Sequence, residues 1–358
     1  MDLWQRLATS EKPVVLYGMG NGADKILTAC ERFGVRVSDV FASDEFVRGQ
    51  SFHGMRVLRY DEVTEKYGAG RFIVLVAFAT AIPEVMARVE RIATECELYV
   101  PDVPVRGHTL FCAAYEEQTR ALTDRACALL ADERSREVFH GVLDFRRTGK
   151  LDVLRATEDT RVAVMRELLH PEDYRVAVDV GAYDGDTARE LMALCPHMER
   201  VFAIEPDRRN FRKLDAYAAT EPRVLPMPVA AWSERATLRF DDSGNRNAGA
   251  DEDGNARRQI EVTGEALDRL IGGERVDYIK YDVEGSEARA LDGSRELLRR
   301  WHPDVLLSLY HRTEDLHALI LQLHEICPEY RLYLRRYPYI PAWDLNLIAT
   351  VRPIGTQK

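Results

Sequence analysis

A strand, a glycine-rich turn and a helix follow one another twice in this chain, about 160 residues apart, and that recurrence constrains the fold more than any other feature. In the first copy, PVVLYGMGNGADKILTACERFG, residues 13–17 read as a buried strand and Gly18, Gly20 and Gly22 as the turn. Ala23 to Phe33 then carries Ile26, Leu27 and Cys30 at helical spacing. VRVSDVFASD (35–44) and FIVLVAF (72–78) read as further strands. The second copy is RVAVDVGAYDGDTARELMAL (175–194). Behind it come strands VFAIEPD (201–207), RVLPMPVAAW (223–232), ATLRF (236–240), VDYIKYDVEG (276–285) and PDVLLSLYHR (303–312). YRLYLRRYP and LNLIATVR close the chain as a hairpin added to the sheet. Strands alternating with helices predict parallel sheets covered on both faces.

A length of 358 residues predicts two domains or three. Pro101 and Pro104 punctuate the chain where the first would end. The reading is therefore a domain over 1–105, a helical connector over 106–170 and a second domain over 171–358. The connector has no strand signal, and its leucines and valines sit among mixed charges, which predicts helices with solvated charged faces. DDSGNRNAGADEDGNARR (241–258) has hardly an apolar side chain and reads as a loop. Its Asn245, Arg246 and Asn247 suit sugar hydroxyls or a carboxylate if that loop closes over a substrate, and otherwise form a plain excursion.

Charge narrows the partners. With 49 basic and 59 acidic residues the formal net charge is −10, against the basic footprint of a protein that coats nucleic acid. The longest apolar run, FIVLVAFATAI (72–82), is shorter than the ~20 residues a membrane-spanning helix needs. MDLWQRLATSEK lacks a basic stretch followed by an apolar core, so no signal peptide is evident. Six widely spaced cysteines without a CxxC pair read as reduced thiols of a cytoplasmic protein rather than a zinc site. The expectation is a cytoplasmic protein with neither a nucleic acid nor a membrane as partner.

In a doubly wound sheet ligands bind beyond the carboxyl ends of the strands. Four such ends in the second domain carry acid or glycine: DVGAYDGDT, EPD, DVEG and LYHR. Gly181 and Gly185 would admit a ligand to the backbone, and the helix beginning near Thr187 would offer free amides. Glu205 ends the second strand, 24 residues after Gly181, where a carboxylate can accept from both hydroxyls of a ribose. The turn lacks the GxGxxG spacing, and Asp179, Asp184 and Asp186 would repel a pyrophosphate. An adenosine ligand without phosphates and with a cationic sulfonium, S-adenosylmethionine, has the matching character. The alternative is a tight strand–helix turn with no ligand.

Residues 175–310 resemble the FkbM family of S-adenosylmethionine-dependent methyltransferases. The motifs that carry the resemblance are VDVGAYDGDTA (178–188), VFAIEPD (201–207), VAAWSE (229–234) and, most specific, YIKYDVEGSEARALDG (278–293). It extends through SLYHRTEDL to LRRYPYIPAWDLNLIA. VFASDEFVRGQSFHGMRVL (40–58) resembles an amino-terminal domain that accompanies some bacterial members. The resemblance implies a class I methyltransferase fold, a Rossmann-like doubly wound α/β sheet of seven strands with the last antiparallel, beside a smaller amino-terminal Rossmann-like domain. It implies O-methylation of a hydroxyl on a glycan or small metabolite. Carried over by position, Asp179, Gly181, Tyr183 and Gly185 would line the methionine side of the cofactor. Glu205 would hold the ribose with Pro206 and Asp207 beside it, Ala230 and Ala231 would flank the adenine, and Asp282 would face the amino group or the transferred methyl.

A hydroxyl nucleophile gains from a general base. Asp282, Glu284 and His311 end the fourth and fifth strands and are the candidates. His311 titrates nearest neutrality, unless a backbone or carboxylate partner simply holds the ring. Glu284 would otherwise cap the helix near Ser286. The same three side chains could hold Mg or Mn, but their spacing is not diagnostic and no metal is assigned. Tyr337, Tyr339 and Trp343 would stack on a sugar or pack the sheet edge. Gly18-Met-Gly20-Asn-Gly22-Ala23 satisfies GxGxxG/A, with Asp39 and Asp44 near the place of a ribose-binding acid. That leaves two other readings: an NAD-dependent or nucleotide-sugar enzyme, and a scaffold with a vestigial second domain.

Overall fold

The computed structural model describes residues 1–241 and 259–352. Val14–Tyr17 (β1), Val37–Phe41 (β2), Ser51–Phe52 (β3), Met55–Leu58 (β4), Ile73–Val76 (β5) and Glu97–Tyr99 (β6) form a six-stranded sheet in the order β3-β4-β2-β1-β5-β6. It is parallel apart from the short β3–β4 pairing. Side chains alternate between the faces of a strand, and β1 shows it. Val14 and Leu16 pack with Ile26, Ala29 and Cys30 of helix Asn21–Arg32, while Val15 and Tyr17 pack in the cluster that holds Met86, Val89 and Ile92 of helix Pro83–Glu95. Helices thus cover both faces, which is why β1 and β5 are buried throughout.

The second sheet comprises Val176–Val180 (β7), Arg200–Ile204 (β8), Val224–Met227 (β9), Tyr278–Tyr281 (β13), Asp304–Ser308 (β14), Arg331–Arg336 (β15) and Leu345–Thr350 (β16). Between β9 and β13 lie Ala230–Ala231 (β10), Ala236–Asp241 (β11) and Gln259–Glu265 (β12), a separate three-stranded sheet in the order β10-β12-β11. The seven strands run β15-β16-β14-β13-β7-β8-β9, with β16 inserted antiparallel between β14 and β15. The expected class of fold, including the antiparallel last strand, is therefore present.

Two local differences from the sequence reading have physical causes. The run 223–232 breaks into β9 and β10 around Pro228, which has no amide for a ladder. Pro226 remains within β9 because that strand is an edge. β12 was not anticipated: Ile260 and Val262 face Phe240 and Leu238 across β11, but the strand abuts a polar run that masks its short alternation. The readings of Asn245, Arg246 and Asn247 fall outside the described residues.

The connector differs most. It forms four helices, Ala113–Ala128, Glu133–Thr148, Leu151–Arg155 and Arg161–Glu167, and it does more than bridge two sheets. It covers the exposed edge of β15: the Ala131 amide donates to the Leu332 carbonyl at 2.8 Å and the Asp159 amide to that of Arg336 at 2.7 Å. Arg336 is fully buried, and its guanidinium donates to Thr157 Oγ1 (2.6 Å), Leu154 O (2.8 Å), Tyr339 O (2.9 Å), Tyr337 O (3.0 Å) and Glu158 Oε1 (3.1 Å). Arg336→Met would strand the buried hydroxyl and carbonyl acceptors, while Glu158 would keep its pairing with Arg155 at 2.8 Å. An expected loss of about 3–5 kcal/mol in unfolding free energy, measured by urea denaturation, follows.

Two other ties join the amino-terminal half to the second sheet. Thr80 and Ile340 exchange backbone hydrogen bonds at 2.7 and 2.9 Å, and the Arg106 amide donates to the His311 carbonyl at 2.8 Å. All six cysteines are unpaired and five are buried. Among the described residues no helix is long and apolar enough to cross a membrane.

Candidate functional site

A cavity of about 430 Å³ opens beyond the carboxyl ends of β7, β8, β13 and β14. Its floor is set by a close approach of two strand ends. Gly181, just past β7, has φ +92°, and a Cβ there would lie 1.9 Å from the Asp282 carbonyl oxygen. Only glycine allows both the backbone conformation and the contact. The turn continues through Tyr183 (φ +48°) and Gly185 (φ +89°), where a Cβ would meet the Tyr217 ring at 2.7 Å.

Glu205 sits at the end of β8 and is held by main-chain donors. Its Oε2 accepts from the Tyr183 amide at 2.9 Å and its Oε1 from the Asp207 amide at 2.8 Å. Burial pushes its carboxyl up to about 8 against those two bonds. Those bonds use one acceptor position on each oxygen of a side chain that lines the cavity.

Gly181, Tyr183, Thr187, Glu205, Pro206, Ala230, Ala231, Asp282 and Glu284 of the sequence-derived set all line this cavity. Four do not, and each has another task. Gly185 packs on Tyr217 and ends at the helix Asp186–Leu194 as its N-cap. Asp207 caps helix Arg208–Ala218, accepting from the amides of Arg209 and Asn210 at 2.8 and 2.9 Å. Asp179 is fully buried beneath the floor, 3.9 Å from Lys280 Nζ, its register partner on β13. Burial pushes its carboxyl up to about 7. His311 is the fourth.

The His311 ring is fully buried behind the cavity, among three carboxylates. Nδ1 lies 2.8 Å from Glu287 Oε1, and Nε2 lies 3.6 Å from Asp282 Oδ1 and 3.7 Å from Glu284 Oε1. Burial alone would lower its pKa, but Glu287, Glu284 and Asp282 raise it to about 10. Its anionic surroundings therefore favour the protonated ring over the neutral base that the residue type alone suggests. Asp282, Glu287 and His311 also come within 4.8 Å of one another, close enough for a metal by proximity. The ring, however, stands between the two carboxylates, with Glu287 on its Nδ1 side and Asp282 on its Nε2 side.

Asp282 and Glu284 titrate apart. Burial pushes Asp282 upward, yet Lys280 (3.2 Å from Oδ2) and His311 bring it down to about 2. Tyr310 OH also donates to its Oδ1 at 3.1 Å. Burial pushes Glu284 up to about 7 despite His311, and its Oε2 is buried without a hydrogen-bond partner. Glu284 also has φ +53° and Asp344 φ +58°, so with Tyr183 three of the five positive-φ non-glycine residues among the described ones line this cavity. Such strain gathers at functional sites.

Arg161, Glu190, Lys280, Glu287 and Tyr310 were not anticipated. Lys280 and Glu287 lie inside the YIKYDVEGSE motif and were legible there as charged residues on and after a buried strand. Arg161 comes from the connector and pairs with Glu190, its Nε donating to Oε1 at 2.6 Å and its Nη2 to Oε2. Nothing local to its sequence marks it.

In the amino-terminal sheet, packing accounts for two of the three glycines. A Cβ on Gly22 would sit 2.6 Å from the Ala77 carbonyl, and one on Gly18 would sit 2.6 Å from the Phe78 ring. Asp39 accepts from Lys66 at 2.8 Å and from Tyr67. Tyr337 packs in the core, while Tyr339 and Trp343 line the cavity.

The order of the seven strands and the position of the cavity define the α/β fold of methyltransferases. Residues 179–341 match the model of the methyltransferase FkbM domain. The crystal structure of methyltransferase FkbM from Methylobacillus flagellatus KT superposes with a TM-score of 0.72 at 20% identity, covering 97% of this chain and 92% of that one. Aeropyrum pernix fibrillarin with natively bound S-adenosyl-L-methionine reaches a TM-score of 0.35 at 16% identity, covering 52% of this chain and 72% of its own. An rRNA methylase from Streptococcus thermophilus reaches 0.33 at 11% identity, covering 50% and 87%. No curated protein matches the sequence.

Proposed function

We propose that this chain is an S-adenosylmethionine-dependent O-methyltransferase acting on a hydroxyl of a glycan or small metabolite. The observation that carries the reading is the charge of the cavity. Asp186, Glu190, Glu205, Asp282, Glu284 and Asp344 line it, against Arg161 and Lys280 as the basic side chains among the described residues; with Glu205 and Glu284 discounted for the protons that burial keeps on them, four carboxyl groups still face two cations. That surface favours a cationic ligand and disfavours a pyrophosphate. When bound, S-adenosylmethionine supplies a methyl group made electrophilic by its sulfonium.

The residues present fit that cofactor. Glu205 would hold the ribose through the lone pairs its backbone donors leave free. Ala230 and Ala231 leave room for a flat base, since neither has a side chain beyond Cβ. Asp282, ionised at all ordinary pH, would face the cationic centre. Glu284 would take the proton of the acceptor hydroxyl, because it lines the cavity and its carboxyl titrates near the operating pH. His311 would act behind it as fixed positive charge, held by Glu287, whose Oε1 also accepts the Val283 amide at 2.9 Å.

Arg161 would take the cofactor's carboxylate. Lys280 is engaged between Asp179 and Asp282, whereas the bonds of Arg161 to Glu190 use Nε and Nη2, and its Nη1 would donate to that group. Arg161→Met should weaken S-adenosylhomocysteine binding about ten- to hundredfold. It should leave 5′-methylthioadenosine, which lacks the amino-acid part, within twofold; calorimetry measures both.

Transfer of radiolabel from [methyl-14C]S-adenosylmethionine to a panel of glycans and hydroxylated metabolites tests the reaction. Alkali-stable label, an ether, is expected; alkali-labile label, an ester, would assign a carboxyl acceptor instead.

A further inference from the structure

A second cavity of about 340 Å³ lies at the carboxyl ends of β1, β5 and β6. The chain passes from β1 to one side of the six-stranded sheet and returns through β5 to the other, so this is the point where strand order reverses. Ligand crevices of parallel sheets form there. The far wall comes from the second sheet: Tyr339, Pro341 and Trp343, on the segment joining β15 to β16. The backbone pair Thr80–Ile340 pins that wall in place.

The two cavities adjoin. Val105, Tyr339 and Trp343 line both. Rings stack from one to the other: Tyr310, bonded to Asp282, has its centroid 6.1 Å from that of Trp343, and Trp343 lies 5.8 Å from Tyr339. The segment that carries Val105 is bonded to the turn at Glu284, with Arg106 Nε donating to the Glu284 carbonyl at 3.2 Å.

Size assigns the second cavity a role. Ligand pockets run from about 300 to 1,000 Å³, and the first cavity, at about 430 Å³, lies near the lower end, so a bound cofactor would leave little of it for the acceptor at the end beside Glu284. The rest of any acceptor larger than a few atoms needs other space. The second cavity adjoins that end and is largely apolar, with Met19, Ile26, Val76 and Phe78 among its lining residues. Its cation is Lys25, whose Nζ is held by the carbonyls of Pro104 (2.8 Å) and Val105 (2.7 Å). No carboxylate forms an ion pair with that ammonium among the described residues.

Resting on the methyltransferase reading, we propose that the two cavities form one bipartite cleft in which the amino-terminal half anchors the non-reacting end of the methyl acceptor, a ring-bearing compound with an anionic group that meets Lys25. The ring lies along Trp343 and Tyr339, and the hydroxyl to be methylated reaches Glu284.

The test is calorimetric titration of the full chain, saturated with S-adenosylhomocysteine, with 4-nitrophenyl β-D-glucuronide, and with 4-nitrophenyl β-D-glucoside as the uncharged match. The glucuronide should bind at least tenfold more tightly than the glucoside. Lys25→Met should remove that preference, and Ala79→Trp, which fills the second cavity, should weaken both probes tenfold or more. S-adenosylhomocysteine affinity should stay within twofold in both variants. Equal binding of the two probes, binding unchanged by both substitutions, or no probe binding to a chain that does bind S-adenosylhomocysteine would each overturn the proposal. Failure to bind S-adenosylhomocysteine itself would overturn the cofactor reading on which it rests.

Discussion

Gly181→Ala is expected to destabilise the chain by about 4 kcal/mol or more and to abolish cofactor binding. The reason is local and steric. The new Cβ would sit 1.9 Å from the Asp282 carbonyl oxygen and within 2.9 Å of its carbon, and both are backbone atoms that cannot rotate away. The residue would also have to keep φ +92°. Relief requires β7 and β13 to part at their carboxyl ends, where the turn to Glu205 and the Asp282 loop begin. Gly272→Ala is the control. It shares a positive φ (+62°) but has nothing within 4 Å of its Cβ, so only the backbone cost of about 1–2 kcal/mol applies. Urea denaturation of both variants separates the two effects.

Glu284→Gln is expected to lower kcat by about 10²–10⁴ while leaving S-adenosylhomocysteine affinity within a fewfold. In the native protein burial holds the Glu284 carboxyl at about 7, so its basic form accumulates only above that pH. kcat/KM should rise about tenfold per pH unit below 7 and level off above, and the variant should lose that limb. Stability carries an independent sign. A carboxyl raised from its ordinary 4.5 to about 7 gives the native state extra bound protons between those values. Its contribution is full below 4.5 and is lost as pH rises through 7. The glutamine variant removes the term, so at pH 8 it should be at least as stable as the parent. A variant that is inactive yet unharmed in stability identifies the proton acceptor and excludes misfolding.

Much of this was legible in the primary structure because the relevant contacts are local or motif-borne. Gly181 and Glu205 end consecutive strands, and the strand period together with the glycine turn places them side by side. The parallel sheet and its terminal hairpin follow from alternating elements, while the seven strands with the last antiparallel were legible only through the family resemblance. What was not legible depends on distant pairing. Arg161 reaches the cavity only because the connector folds back on β15, an arrangement set by Arg336 and its acceptors more than 170 residues away. His311 reads as a neutral-pH base from its residue type, and becomes a cation only when Glu287, Glu284 and Asp282 converge on it. The second cavity is likewise invisible in either half alone, since its walls come from both sheets.

The central claim is the cofactor, and titration of the purified chain with S-adenosylmethionine, S-adenosylhomocysteine and NADH tests it most directly. The account predicts that the first two bind at one site per chain, that NADH gives no heat, and that Glu205→Ala removes the binding. NADH binding alone, lost in Gly20→Val, would contradict it and move the active site to the amino-terminal glycine turn.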